Sequence, residues 1–273
     1  MSKSLIRDIE EELPTISDSM AKMDPIERLS VSLIYQQAKR LLSIAKPYRR
    51  ILDVGCGDGL FLKEIQYELG VNNCEYVGID ISQRKLRFAW SRSQQLNIFR
   101  KTHFVLADAE HLPFRTSTFD IAIMIEVLEH FPNPVDYVTE LTGVIAESGK
   151  VIITTPSAYG TKGSRVTVLK RLVCPMKHYE PVPRETYIMI QGTKLPHRDF
   201  TSAEIRDLIS PNFVLTKVYG FNFGIHFLMR RMFPQRFLLW MTGCVESHAA
   251  MFPQAWGHNW LILCEKRDTN RNN

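Results

Sequence analysis

The chain has 273 residues of which 45% are hydrophobic, enough to bury one large core. Its net charge of +5 is mildly basic, which suits RNA, an anionic membrane surface, an acidic substrate or an ordinary enzyme, and selects none of them. The five cysteines (56, 74, 174, 244 and 264) are odd in number and form no CxxC, so a disulfide framework and a structural zinc site are disfavoured and a reducing, cytoplasmic setting is expected.

Residues 1–23 are polar and weakly periodic, a short helix or an arm, and no secretory signal is expected because Met1 to Ser4 lead into the acidic run Asp8 to Glu12. Asp24 and Pro25 then open a helix, with Glu27 completing a capping box. Leu29, Leu33, Ile34, Ala38, Leu41, Leu42 and Ala45 recur at three- and four-residue spacing and define a buried face, leaving Arg28, Lys39 and Arg40 wet. Pro47 stops this helix, so residues 1–47 read as an N-terminal helical arm and 48–273 as the main domain.

Ile51 to Val54 is an apolar strand that runs into Gly55-Cys56-Gly57-Asp58-Gly59. Alternating glycines allow positive φ and close backbone approach, and a helix from Leu60 presents its unpaired N–H groups to whatever sits there. The next strand, Glu75 to Asp80, ends in a carboxylate at an offset suited to a ribose. The spacing is not GxGxxG. It places Asp53 before a tight loop, which suits a ligand carrying an amine and no phosphates, so a nicotinamide dehydrogenase is disfavoured.

These residues resemble the class I S-adenosylmethionine-dependent methyltransferases. The resemblance implies that Asp53, Gly55, Gly57 and Gly59, with Cys56 beside them, hold the methionine part of S-adenosylmethionine, and that Asp80, followed by Ile81, takes the ribose hydroxyls. It covers residues 48 to 156 with specific motifs and is architectural beyond them.

Ser82 caps a helix to about Asn97, and His103 to Ala107 is a third strand. It leads into Asp108-Ala109-Glu110-His111-Leu112-Pro113-Phe114, where the resemblance implies adenine contacts from Asp108 and Ala109. Asp108 also suits a plain turn cap. Phe119 to Ile125 is apolar throughout, as a central parallel strand requires. Ligands sit beyond the C-terminal strand ends of such sheets, which brings Glu126, Glu129 and His130 of Glu126-Val127-Leu128-Glu129-His130 to the mouth of the site. Asn133-Pro134 begins a helix expected to end near Gly149, and Val151 to Thr155 is a fifth strand.

Residues 156–200 break this rhythm with Gly, Pro and basic positions and read as a substrate lid, which carries His197. A helix over Thr201 to Ile209, a strand over Phe213 to Val218 and a closing strand over Asn259 to Glu265 complete the pattern. The expected fold is a doubly wound α/β, Rossmann-like sheet of seven mostly parallel strands, with an N-terminal helix and two insertions. The second insertion, residues 220–258, is rich in Phe, Met and Trp and carries Arg230, Arg231 and Arg236. Its composition suits packing over the sheet or an interfacial amphipathic helix with peripheral membrane contact.

Methyl transfer needs an acceptor held in line and a group to take its proton. His130, Glu129 and His197 are the expected catalytic residues, and Glu126 is assigned to the cofactor. A polar cluster after a strand also serves to cap a helix or orient a loop. The set Glu126, Glu129, His130 and His197 offers oxygen and nitrogen ligands suited to a divalent ion. It resembles the metal site of small-RNA 2′-O-methyltransferases of the Hen type and occurs also in quinone-biosynthesis O-methyltransferases, so no metal is assigned. The Glu126–Pro134 and Asp108–Phe114 stretches resemble most the ubiquinone and menaquinone methyltransferase superfamily. The expected activity is O- or C-methylation of a hydrophobic small molecule or lipid-linked acceptor. The alternatives are an RNA 2′-O-methyltransferase and a non-catalytic cofactor-binding protein, with nucleic acid the less favoured partner.

Overall fold

The computed structural model describes residues 7, 11, 15–23, 25–69, 74–96, 101–158, 185–190, 193–221, 233–234, 236–238, 240–241 and 259–268. Two helices precede the first strand, α1 (Ile16–Lys22) and α2 (Pro25–Ile44). Then β1 (Arg50–Val54), α3 (Leu60–Leu69), β2 (Glu75–Asp80), α4 (Gln83–Leu96), β3 (Thr102–Leu106), β4 (Phe119–Ile125), α5 (Pro134–Val144) and β5 (Ile145–Pro156) alternate. A separate antiparallel pair, β6 (Glu185–Ile190) and β7 (Thr193–Arg198), is followed by α6 (Ser202–Ile209), β8 (Phe213–Phe221) and β9 (Asn259–Lys266).

The main sheet has seven strands in the order β3-β2-β1-β4-β5-β9-β8. Its pairs are parallel from β3 through β5, and β9 runs antiparallel to both of its neighbours. Strand alternation splits the core into two layers. Leu52, Ala122, Met124, Val151 and Ile153 face Val138 and Leu141 of α5 and Ile205 of α6. Ile51, Ile121, Ile123 and Ile152 face Ala38, Leu41 and Leu42 of α2 and Phe61, Leu62 and Ile65 of α3. Burying each large aliphatic side chain here contributes roughly 1.5–3 kcal/mol. Both faces being covered explains why β4 reads as a continuous apolar run.

Several local expectations change. Lys39 is buried, because its ammonium pairs with Glu64 at 2.9 Å and Glu68 at 2.7 Å on α3, across which its apolar stem also packs. The helix expected to reach Gly149 ends at Val144, and Ile145 already pairs with Phe119 before an irregularity in the β4–β5 ladder. A Cβ on Gly149 would meet Ile145 Cγ2 at 2.6 Å, so glycine lets the backbone fold tightly there. Asn133 precedes α5 but its side chain makes no cap bond to the backbone; its amide donates to Asp136 Oδ2 at 2.6 Å. Thr201 is the cap of α6, in a reciprocal capping box with Glu204. The expected lid over 156–200 contains the β6–β7 hairpin, and its residues 159–184 lie outside the described residues. So do Asp24 of the expected capping box and the side chain of Glu27.

Candidate active site

The C-terminal ends of β1, β2 and β4 open onto a cavity of about 420 Å³. Gly55, Cys56, Gly57, Asp80, Ile81, Asp108, Ala109, Glu126 and His130 line it, so nine of the residues singled out from sequence converge there. Asp53, Gly59, Glu129 and His197 sit behind this lining.

The glycine loop is shaped by what surrounds it. Gly55 has φ +71°, and a Cβ there would meet Val127 Cγ2 at 2.6 Å. Gly57 has φ +54° and nothing within 4 Å of its would-be Cβ, which leaves open space beside the loop backbone. The Gly57 N–H donates to Asp80 Oδ2 at 2.8 Å and the Ser82 N–H to Asp80 Oδ1 at 2.8 Å, fixing the carboxylate at the end of β2. A carboxylate offers about four lone-pair sites, which suits it to accept ribose hydroxyls.

Asp53 is buried, and its Oδ2 has no hydrogen-bond partner. Burial and then the nearby Asp80 carboxylate push it well above the usual carboxylate range. A ligand that brings positive charge or an amine donor relieves both effects. The orphaned carboxylate, the open space at Gly57 and the ribose-ready Asp80 therefore fit S-adenosylmethionine. Asp108 lines the cavity and its Oδ1 also accepts the Glu110 N–H at 3.0 Å, so it caps its own turn as well.

The N-terminal arm also lines this half of the site. Ile16 and Ser19 of α1 line the cavity. The Ser17 N–H donates to Asp58 Oδ2 at 3.2 Å, and Arg92 of α4 donates to Asp58 O (2.7 Å), Asp58 Oδ2 (3.1 Å) and Ser17 Oγ (2.7 Å). Glu11 accepts the N–H groups of Gln83 and Arg84 at the start of α4, where the helix dipole favours an anion. Burial raises the Glu11 carboxyl, but the backbone donors Arg84 and Gln83, the Ser82 hydroxyl and the Arg84 charge outweigh that and hold it below its ordinary value. Asp58 had a signal in sequence, its place inside the glycine loop; Arg92 and Glu11 had none.

The second half of the site gathers side chains distant in sequence. Glu126 follows β4 with φ +52°, an uncommon conformation for a non-glycine residue. Its N–H donates to Thr154 O and Oγ1, both at 3.1 Å, and its Oε2 accepts from Asn259 Nδ2 at 2.8 Å. A 3₁₀ turn over Leu128–His130 then points Glu129 inward. Glu129 is 2% exposed, accepts from Thr155 Oγ1 at 3.2 Å and lies 3.9 Å from His130 Nε2. His197 arrives from β7, with its ring centroid 5.6 Å from that of His130 and its Nε2 3.5 Å from Asp199 Oδ1. Phe200 delivers that strand: it bonds to Pro156 at the end of β5, and its carbonyl accepts the Trp260 indole N–H at 2.7 Å. One ligand atom each from Glu129, His130 and His197 lies within 4.8 Å of the others. This carboxylate and two imidazoles fit a divalent ion of the oxygen- and nitrogen-binding kind, and equally a proton-transfer cluster. Asn259 and Asp199 were missed, since nothing in sequence links them to the Glu126–His130 segment.

Comparison with known proteins agrees with this geometry. Residues 52–153 match the family model described as a methyltransferase domain. The chain is 27% identical over 210 residues to norajmaline N-methyltransferase of Rauvolfia serpentina, covering 74% of this chain and 68% of that protein. It is 27% identical over 186 residues to a ubiquinone biosynthesis O-methyltransferase of Photobacterium profundum, covering 65% of this chain and 76% of the other. Among solved structures, the N-methyltransferase NodS of Bradyrhizobium japonicum, in complex with S-adenosyl-L-homocysteine, superposes with a TM-score of 0.57 at 12% identity, over 96% of this chain and 98% of that one. At that identity the likeness is one of fold.

Proposed function

We propose, for a chain that is a class I S-adenosylmethionine-dependent methyltransferase, that its acceptor is a hydrophobic small molecule or lipid-linked compound, methylated on oxygen or carbon. The observation that carries this is the apolar share of the cavity lining. Ile125, Val127 and Phe131, with Val31, Ile34 and Tyr35 of α2, give the cavity apolar surface, while Glu126 and His130 supply its polar end. The relatives named above act, by their names, on norajmaline and in ubiquinone biosynthesis, which supports a small acceptor.

Bound S-adenosylmethionine supplies an electrophilic sulfonium methyl with a neutral leaving group. Asp53 would answer its positive charge, Asp80 would take the ribose hydroxyls, and Asp108 with the Ala109 N–H would engage the adenine. The N-terminal arm would shield this half from water. His130, 3.9 Å from Glu129 and packed against His197, would take the acceptor proton as the carbon–sulfur bond of the methyl breaks and its bond to the acceptor forms. A second reading rests on the 4.8 Å cluster: Glu129, His130 and His197 would hold a divalent ion, which would lower the pKa of an acceptor hydroxyl.

The test is transfer of label from methyl-labelled S-adenosylmethionine into a cell extract, partitioned between organic and aqueous phases with and without RNase. Label in the organic phase supports the proposal. RNase-sensitive aqueous label overturns it in favour of an RNA acceptor. Loss of transfer on chelation, restored by a divalent ion, selects the second reading of the cluster.

A further inference from the structure

We propose that the exposed surface of Phe233, Phe237 and Trp240 docks on an anionic lipid bilayer, at the end of the molecule where a membrane-dissolved acceptor enters. This rests on the reading of the acceptor as hydrophobic. The long connection between β8 and β9 is rooted beside the active site. It leaves the sheet at Phe221 and rejoins it at Asn259, which pair with each other. Asn259 also pairs with Pro156 at the C-terminal end of β5 and donates to Glu126 in the cavity lining. The connection therefore starts and finishes on the strand ends that carry the site.

Within it, Pro234 O accepts the N–H groups of Phe237 (3.0 Å) and Leu238 (3.2 Å), opening a helical stretch. Leu238 is buried and seats that stretch on the protein. Phe233, Phe237 and Trp240 stand out from it, 36%, 40% and 64% exposed. Their rings touch in sequence, with centroids 5.1 Å apart from Phe233 to Phe237 and 5.8 Å from Phe237 to Trp240. The offset of three residues puts Phe237 and Trp240 on one side of the helical stretch, and Phe233, in the bend before it, closes on Phe237. A continuous aromatic surface of this kind is poorly placed in water and well placed at the boundary of headgroups and acyl chains.

Charge decides the occupant. Arg236 is exposed next to Phe237, and residues 222–258 contain Arg230, Arg231 and Arg236 against the single acid Glu246. Arg236 beside the exposed aromatics, in a connection whose sequence is net positive, matches an anionic leaflet. Among the described residues no helix is long and apolar enough to cross a membrane, so the contact is peripheral.

The experiment is flotation of the full chain with vesicles of phosphatidylcholine alone or mixed with phosphatidylglycerol. The wild type is expected to float with the mixed vesicles, less so in high salt. The double variant Phe237→Ser/Trp240→Ser should lose about tenfold or more of that partitioning, with its affinity for S-adenosylhomocysteine unchanged by calorimetry. Trp90→Ser, which removes an exposed indole from α4, should float as the wild type does. Equal flotation of the double variant and wild type, an equal loss in Trp90→Ser, or a wild type that stays with the soluble fraction overturns the proposal. So does sedimentation showing that these aromatics hold two copies of the chain together. The two readings fail separately: a protein that floats but puts methyl label only into an RNase-sensitive aqueous fraction refutes the hydrophobic acceptor and leaves the membrane surface standing.

Discussion

The two halves of the site are built in opposite ways. The cofactor half comes from consecutive βα units: Asp53 and the glycine loop end β1, Asp80 ends β2, and Asp108 follows β3. Each residue is placed by its own strand, and the Asp80 and Asp108 carboxylates accept backbone N–H groups nearby. The acceptor half is assembled from afar. Glu126 is held by Asn259, Glu129 by Thr155, and His197 comes in on a separate hairpin. A site built from strand ends is fixed once the sheet forms, whereas one built from insertions can change its acceptor without disturbing the cofactor.

Substitutions can break that division or sharpen it. The largest effect is expected from Gly55→Ala, which meets Val127 at 2.6 Å in a backbone of φ +71° and should cost about 3 kcal/mol of stability in denaturant unfolding. Asp80→Ala should leave a folded protein whose affinity for S-adenosylhomocysteine falls about 100-fold by calorimetry; unchanged affinity means the ribose site lies elsewhere. Glu129→Gln should act on the other half alone, lowering kcat about 50-fold while cofactor affinity stays within a factor of about two. A parallel loss of cofactor affinity would show that the halves are not separable. Asn259→Ala removes the donor that holds the Glu126 carboxylate and should lower kcat/KM about tenfold.

The smallest effect concerns α6, which supports the acceptor half through the chain that follows β7. Burial raises the Glu204 carboxyl, but the Thr201 N–H, Arg198 and the Thr201 hydroxyl together hold it below its ordinary value. A carboxyl depressed in the folded state contributes stability that is present above its unfolded pKa. That contribution is lost as pH falls through the folded value. Melting curves of wild type and Glu204→Gln should thus differ at neutral pH and converge in acid; a gap that persists in acid assigns the difference to packing.

The legible part of the sequence was the part governed by local rules. Alternating glycines after an apolar strand, an acid at the end of the next strand and a continuous apolar run at β4 each carry their meaning within a few residues. Lys39 was misread as wet because helical periodicity identifies a face but not the acids on α3 that meet it. The end of α5 was misjudged because Ile145 gains more by pairing with Phe119 than by continuing a helix, and that partner lies in another strand.

The sequence alone therefore determined the sheet, the glycine loop and the carboxylates placed beside it, since backbone geometry and strand order impose them. Only the tertiary structure decided that Arg92, Asp58 and Ser17 bind the N-terminal arm over that loop. The meeting of His197 with Glu129 and His130 was already implied by the family resemblance, whereas the tertiary structure alone brought Asn259 to Glu126. These are contacts between side chains whose separation along the chain carries no signal, and they exist because folding buries polar groups that must then find partners.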